Sequence, residues 1–255
     1  RKITAKISYR SLLSRERPLN IQIDQPILRI YDTSSVSEDT QKPLFGLVLP
    51  FALERGLVKN GELYYWGDEF RLLSKGVNAR LTQNNDRFII HAETEENVLS
   101  FSSSQHQIKG KASFLLEGQG REVNIKRARF RGPDGTVNVE GRLVNPFDPE
   151  LELVNSFNVK IGLIVDLFEL PFEWEGDAKG KGRLIRSNGK FAFNSEFSSD
   201  TLELNDVYMG NVDGKIDFDE VDGGHVEFRM RKKDLSREYL SIRFRGDRLE
   251  GSARG

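Results

Sequence analysis

Histidine is the side chain most often used as a metal ligand or as a proton-transfer group near neutral pH. This chain has three, at positions 91, 106 and 225, and no two of them have the spacing of a metal-binding pair. His91 stands on the opposite phase to Phe88 in the alternating segment DRFIIHAE, and His225 stands opposite Val226 in HVEFRMRK. We therefore predict that His91 and His225 lie on the solvent side of strands, and we expect no metal site.

Two acidic segments, ETEEN (93–97) and DFDEVDG (217–223), carry the ligand type that calcium prefers. Neither has the ordered spacing of carboxylates with a terminal Glu that a calcium loop needs. The segment GKGRLIRSNGK (180–190) lacks the spacing of a phosphate-binding loop, and the chain has no Gly-x-Ser-x-Gly elbow. We predict a protein that is not an enzyme and uses no cofactor. An enzyme with dispersed carboxylates, as in glycosidases, is the catalytic alternative.

Charge and cysteine content indicate which class of partner and which cellular compartment to expect. Lys and Arg number 38 and Asp and Glu 39, so the net charge is −1 and we predict no nucleic-acid partner. The basic segments RARFRG (127–132) and FRMRKK (228–233) are interpreted as the wet sides of strands. Cysteine is absent, which excludes disulfides and fits an oxidising compartment such as a periplasm. With Arg1 first, no signal peptide and no apolar run that could cross a bilayer, we expect a soluble piece of a longer protein, or a mature chain.

Period-two alternation dominates the chain and predicts many strands with one dry and one charged side. In HVEFRMRK, for example, Val226 and Phe228 alternate with Glu227 and Arg229. We interpret the dry positions as the lining of a lipid-binding surface. They are Phe88, Ile90, Ile108, Ala112, Phe114, Leu116, Val137, Val139, Leu143, Phe191, Phe193, Phe197, Leu202, Leu204, Ile216, Phe218, Val226, Phe228, Leu240, Ile242 and Phe244.

Turn signals punctuate this alternation. Asn60-Gly61, Asn188-Gly189, Asp134-Gly135 and Asp213-Gly214 are dipeptides that favour tight hairpins. The spacing predicts roughly fifteen strands that pair antiparallel with their neighbours in sequence. We predict a single elongated segment over 1–255, with a flexible polar loop at 32–43 and a short apolar helix or turn at 159–172 that Pro171 ends.

A sheet with one apolar face must cover that face. It can close into a sandwich or barrel with a packed core, or curl partway and leave a trough for a ligand. Small residues on the dry side favour the trough, since they permit bending and leave volume. They are Ala5, Ala92, Gly110, Ala112, Gly141, Ala178, Gly180 and Gly182. A trough suits an acyl chain, because each buried CH₂ contributes about 0.8 kcal/mol.

Several segments resemble AsmA-like and TamB-like proteins. LPFALERGLVKNGELYYW (49–66) is similar to a leucine-proline segment followed by a strand turn in their N-terminal regions. YRSLLSRERPLNIQIDQPILRIYD (9–32) resembles their early strand pair interrupted by Pro. The segment from 137 to 193 resembles their module of a strand, a short apolar segment and a Gly-rich strand. The similarity is clearest over 9–83 and 136–218.

The resemblance implies an all-β fold, an elongated antiparallel sheet curled into a U-shaped, taco-like hydrophobic groove with one or two short helical turns. It further implies a periplasmic segment that carries phospholipid between the inner and outer membranes. The family's inner-membrane anchor, N-terminal to this segment, and an outer-membrane β-barrel protein would be the further partners. It supplies no catalytic residues. A closed β-sandwich binding or adhesin module stays open as an alternative, as does a scaffold in outer-membrane protein assembly that recruits another β-protein at its free strand edges.

Overall fold

The computed structural model describes residues 2–7, 19–31, 53–67, 70–84, 87–101, 107–145, 150–163, 173–220, 223–230, 239–245 and 248–254. These residues form eighteen strands and one helical turn, so the prediction of an all-β chain is confirmed. The chain divides into two compact units. Unit 1 comprises Arg1–Pro133 and Arg142–Asp148, and unit 2 comprises Asp134–Gly141 and Pro149–Gly255.

Unit 1 is a mixed sheet. β1 pairs antiparallel with β2, and β2 and β3 both pair parallel with β4. Among the described residues the later pairings are antiparallel: β4 with β5, β5 with β6 and β7, both of these with β8, and β8 with β9. The spacing of the turn signals predicted antiparallel pairing between sequence neighbours. Period two carries no information on strand direction, so it could not predict the parallel pairings of β2 and β3 with β4. The bounds are β1 (Lys2–Ile7), β2 (Leu19–Asp24), β3 (Ile27–Tyr31), β4 (Leu53–Trp66), β5 (Phe70–Asn84), β6 (Arg87–Glu93), β7 (Glu96–Phe101), β8 (Gln107–Gln119) and β9 (Glu122–Gly132).

Unit 2 is antiparallel throughout its described pairings. β11 pairs with β13, β12 and β13 pair with β14, and β14 to β18 follow one another in order. β10 lies beside β11, and its residues 135–141 belong to this unit. The bounds are β10 (Gly135–Val144), β11 (Glu150–Lys160), β12 (Trp174–Glu175), β13 (Asp177–Ser187), β14 (Lys190–Leu204), β15 (Val207–Asp219), β16 (Gly223–Met230), β17 (Tyr239–Arg245) and β18 (Arg248–Arg254).

The turn predictions have mixed outcomes. Asn188 and Gly189 form the hairpin between β13 and β14, with φ of 52° and 75°. Asn60-Gly61 does not reverse the chain. Asn60 has φ of 49°, but β4 continues through it with a register shift against β5, so a single left-handed residue makes a bulge rather than a turn. Asp213-Gly214 lies in the middle of β15, where both residues keep their partners on β14.

The predicted apolar helix or turn at 159–172 is only partly described. Residues 159 and 160 belong to β11, residues 161–163 are helical, and residues 164–172 lie outside the described residues. The predicted loop at 32–43 also lies outside them. Within the described ranges, no helix has the length and apolar character needed to cross a membrane.

Candidate functional site: the apolar sheet faces

The apolar face of unit 2 is the side of its sheet on which Phe197 and Phe228 lie. Pairing aligns its side chains in rows that cross successive strands. One row from β11 to β16 is Phe157, Gly180, Phe197, Gly214 and Phe228, and a second row is Leu153, Leu184, Phe193, Phe218 and Gly224. Each row is apolar on every strand. The row between them is Asn155, Gly182, Ser195, Ile216 and Val226, so two polar side chains interrupt the apolar face on β11 and β14.

Glycines let aromatic rings lie flat on this face. A Cβ at Gly214 would stand 2.2 Å from Cζ of Phe197, and a Cβ at Gly180 would stand 2.7 Å from Cζ of Phe157. Any larger residue at Gly214 would displace the ring that lies over it. An aromatic ring opposite a glycine covers the backbone that the missing side chain would leave exposed, and the glycine in turn lets the ring lie close to the backbone.

One end of this face is closed by the protein's own side chains. Trp174 of β12 contacts Phe228 edge to face at 4.8 Å between ring centroids, and Phe197 contacts Phe228 in the same way at 5.9 Å. Ile161 and Val212 are fully buried beside them. This cluster is the packed core of unit 2.

The other end of the same face is only partly covered. Leu184, Phe193 and Phe218 lie directly opposite one another on β13, β14 and β15, and each is partly exposed. Phe191, two residues further along β14, is 40% exposed, and the Arg186 guanidinium lies 5.4 Å from the centre of its ring. The face thus runs from a closed core to an uncovered apolar surface within about four residues of strand, roughly 13 Å.

Unit 1 has an apolar face of its own. On β6, β8 and β9 the aligned residues are Phe88 with Gly118 and Val123, Ile90 with Leu116 and Ile125, and Ala92 with Phe114 and Ala128. Phe88 is buried, and a Cβ at Gly118 would stand 1.8 Å from Cζ of its ring. Leu116 and Phe114 are partly exposed.

A buried polar cluster interrupts the apolar face of unit 1 where β6 gives way to β7. Ser74 donates from Oγ to Oδ1 of Asn97 at 2.8 Å, and Asn97 donates from Nδ2 to Oγ1 of Thr94 and to the carbonyl of Gly110. The Ala112 amide donates to Oγ1 of Thr94 at 2.9 Å. Every donor and acceptor used here is paired, so the cluster joins strands and offers no free group to a substrate.

The charged face of unit 2 carries cations and anions that alternate from strand to strand. Lys181, Glu196, Lys215 and Glu227 are aligned across four strands, and Nζ of Lys215 lies 2.8 Å from Oε1 of Glu196. The hydrogen bond and the charge of Lys215 lower the pKa of Glu196, and Glu196 raises the pKa of Lys215 by the same two interactions.

An open pocket of about 950 Å³ is lined by this charged row, by the next one and by the row of Phe157, Gly180, Phe197, Gly214 and Phe228 between them. Its charged lining residues are four cations and three anions, so it presents almost no net charge: Lys179, Lys181, Lys215, Arg229, Glu196, Asp213 and Glu227. None of its titratable groups is buried, because they all lie on the solvent side of strands. The pocket therefore lacks the desolvated acid or base that general acid–base catalysis uses.

The histidine prediction is confirmed for His91, whose side chain is 51% exposed with Nε2 3.7 Å from Glu93. His225 is only partly exposed, at 26% of its side chain, and His106 lies outside the described residues. In the part of the chain that the structure describes, no group of three or more potential metal-ligating side chains comes together. Asp217 and Asp219, considered for calcium, stand on β15 in an antiparallel pair rather than in a loop.

The predicted lining residues divide between the two units. Phe88, Ile90, Ile108, Ala112, Phe114, Leu116 and Leu143 belong to unit 1, and the other fourteen belong to unit 2. Asn138 donates to Oγ of Ser156 on the charged side of β11, which places Val137 and Val139 on the apolar side. Leu240, Ile242 and Phe244 are aligned by backbone pairing with Phe228, Val226 and Gly224, and Leu204 pairs with Val207.

Six of the predicted lining residues are buried: Phe88 and Ala112 in unit 1, and Phe197, Leu202, Val226 and Phe228 in unit 2. Phe197, Val226 and Phe228 are 6%, 4% and 3% exposed and belong to the closed cluster. Leu202, 3% exposed, lies there too. Sequence reasoning missed Trp174 and Val212, both central to that cluster. Val212 continues the alternation of Gly214 and Ile216 on β15. It was missed because Asp213-Gly214 was interpreted as a turn that ends this strand.

Comparison with protein-family models, with curated proteins and with solved structures finds no match to this chain. The residues and their geometry therefore carry the functional argument.

Proposed function

We propose that this chain is a non-enzymatic lipid-binding protein that holds acyl chains against the uncovered part of its apolar faces. One observation carries the proposal. Leu184, Phe193 and Phe218 form an unbroken apolar row across three strands and remain partly exposed in a chain of 30% charged residues. Contiguous apolar surface that reaches solvent is a recognised feature of ligand-binding sites.

The physical fit to an acyl chain is direct. A bound chain needs continuous dryness and no polar partner, and the backbone groups beneath this face are already paired by the sheet. Each CH₂ that leaves water contributes about 0.8 kcal/mol, so ten of them contribute roughly 8 kcal/mol before ordering costs.

The resemblance to AsmA-like and TamB-like proteins extends this proposal to a cellular role. It is the carriage of phospholipid through a periplasm, from an inner membrane that holds the anchor of the full-length protein towards an outer membrane. An outer-membrane β-barrel protein would receive or accompany the segment. The absence of cysteine is compatible with that compartment.

A second candidate is a closed β-domain that binds its ligand at its loops. The core around Trp174 and Phe228 supports it, because that end of unit 2 is filled in the way a sandwich is filled. The two candidates assign different roles to Phe193, which would contact the acyl chain in a lipid-binding protein. In a closed domain the residue would be packing only.

The test compares Phe193→Asp with Asn194→Asp. Asn194 is the next residue of β14 and lies on the charged face. The two variants therefore introduce the same carboxylate on opposite faces of one strand. Lipid that co-purifies is measured by native mass spectrometry and by extraction. We expect Phe193→Asp to reduce occupancy at least tenfold, since a carboxylate against an acyl chain costs more than about 1.4 kcal/mol. Asn194→Asp should keep its lipid.

Wild-type protein that carries no lipid after mild purification, and takes up none from added phospholipid, would refute the proposal. Equal occupancy in the two variants would show that Phe193 contacts no ligand. Circular dichroism of both variants separates lost binding from lost folding.

A further inference from the structure

The charged face of unit 1 carries five exposed cations on two adjacent strands. They are Lys109 and Lys111 of β8 and Arg127, Arg129 and Arg131 of β9, here called the basic strip. Alternate residues of a strand are about 6.8 Å apart, and neighbouring strands lie about 4.8 Å apart. Lys109 lies beyond the Lys111–Arg131 pair, so the five charges occupy an area of roughly 20 by 5 Å.

The strand register brings like charges together in this strip. Lys111 lies directly opposite Arg131, and the other partners across the pair are Ser113 and Leu115 rather than acids. Within the described residues, none of the five cations forms an ion pair or hydrogen bond. Like charges directly opposite each other destabilise a sheet, so folding alone does not explain the strip.

The charged face of unit 2 shows that the same architecture can balance its charges. There Lys181, Glu196, Lys215 and Glu227 alternate in sign across four strands. In unit 1 the nearest acid in register with Arg129 is Glu93, two strands away at about 9.6 Å, with Ser113 between them. The basic strip is thus a local excess of charge in a chain whose net charge is −1.

We propose that the basic strip binds the headgroup surface of an anionic phospholipid bilayer. Clusters of four to eight Lys and Arg are sufficient to hold a protein at such a surface. Leu115, directly opposite Arg127 on the same face, is partly exposed. An apolar side chain beside cations fits the boundary between headgroups and acyl chains, and it gains nothing against the backbone of a nucleic acid. The inference goes beyond acyl-chain binding and does not depend on it.

The experiment measures co-sedimentation of the purified chain with vesicles of phosphatidylglycerol and phosphatidylcholine, mixed at about one to three, and with phosphatidylcholine alone. The triple variant Arg127→Gln, Arg129→Gln, Arg131→Gln is compared with Lys179→Gln, Lys181→Gln, Arg229→Gln. The second set removes the same charge from the charged face of unit 2. At about fivefold per charge, the first variant should bind anionic vesicles on the order of 100-fold more weakly. The second should bind like the wild type.

Raised salt should weaken wild-type binding, because exposed charges are screened. If the triple variant unfolds by circular dichroism, Arg129→Gln alone should still weaken binding about fivefold. Three results would overturn the inference: no preference of the wild type for anionic vesicles, equal losses in the two triple variants, or binding to a short DNA duplex without binding to vesicles.

The result is separable from the acyl-chain proposal. The variant of the basic strip should retain its co-purified lipid, and Phe193→Asp should bind anionic vesicles as the wild type does.

Discussion

The two units cover their apolar faces in different ways. In unit 2, one end of the face is filled by Trp174, Phe197 and Phe228, with Ile161 and Val212 fully buried beside them. In unit 1, the buried apolar residues among those described are Phe88, Ala112 and Val123. The polar cluster of Ser74, Thr94 and Asn97 is buried as well. One unit is held by apolar packing at one end, and the other is aligned by hydrogen bonds.

The difference shows that the residues that stabilise a sheet need not be the ones that leave its apolar surface exposed. A packed aromatic core stabilises the sheet of unit 2 from one end, which permits the row of Leu184, Phe193 and Phe218 to stay partly exposed. The paired cluster of Ser74, Thr94 and Asn97 fixes the joint between β6 and β7 with little buried apolar area. Such a cluster specifies alignment, because any shift would leave buried polar groups unpaired.

The largest effect is expected at the core of unit 2. Phe228→Ala should lower the free energy of unfolding by about 3–5 kcal/mol, since it removes a buried ring and leaves a cavity beside Trp174. The measurement is urea unfolding followed by tryptophan fluorescence in a Trp66→Phe background. The chain has two tryptophans, so the remaining signal comes from Trp174 in this core.

Phe191→Ala is the matched control in the same sheet. Its ring is 40% exposed, so its loss should cost less than about 1 kcal/mol. Equal losses in the two variants would show that the closed end of the face is not the stabilising one.

A smaller effect is expected at the polar cluster of unit 1. Asn97→Ala should lower the free energy of unfolding by about 1–3 kcal/mol, because buried Ser74 and Thr94 and the partly buried Gly110 carbonyl each lose a partner. The measurement is hydrogen exchange at the Ala112 amide, which donates to Oγ1 of Thr94. Its exchange should accelerate with the loss of stability.

Asn124→Ala serves as the comparison, because its Nδ2 donates to Glu122 at the surface, 3.0 Å away. Exchange at Ala112 should be unchanged in that variant. Unchanged exchange in Asn97→Ala would instead mean that apolar packing alone holds the joint, as it does in unit 2.

The sequence predicts the strands and their faces well, because period two is a local signal. Val226 and Phe228 lie on the apolar side and Glu227 on the charged side, as their alternation indicates. Strand direction and joints are not local. The parallel pairing of β2 and β3 with β4, and the continuation of β4 through Asn60, depend on partners distant in sequence.

The candidate site could be predicted only as a face. Alternation marks Phe193 and Phe197 equally, yet Phe197 is core and Phe193 is partly exposed. The distinction comes from Trp174, which reaches the face from β12 through its pairing with β14 at Leu204. No local sequence pattern predicts that contact, because it depends on the pairing of strands distant in sequence.

The smallest effect is expected at the ion pair of Lys215 and Glu196 on the charged face of unit 2. Lys215 lowers the pKa of Glu196 below 4.5, so the stabilisation is present above that pH and is lost as the pH falls through the lowered value. Glu196 raises the pKa of Lys215 above 10.5, so the same stabilisation is lost again as the pH rises through the raised value. Lys215→Gln should therefore shift the urea midpoint slightly at neutral pH and not at all in acid. Lys190→Gln, at an exposed position near the turn of the same sheet, should shift it at neither. A shift that persists well below pH 4.5 would assign the effect to the stem of Lys215 packing on the sheet, and would remove charge alternation as a stabilising difference between the two units.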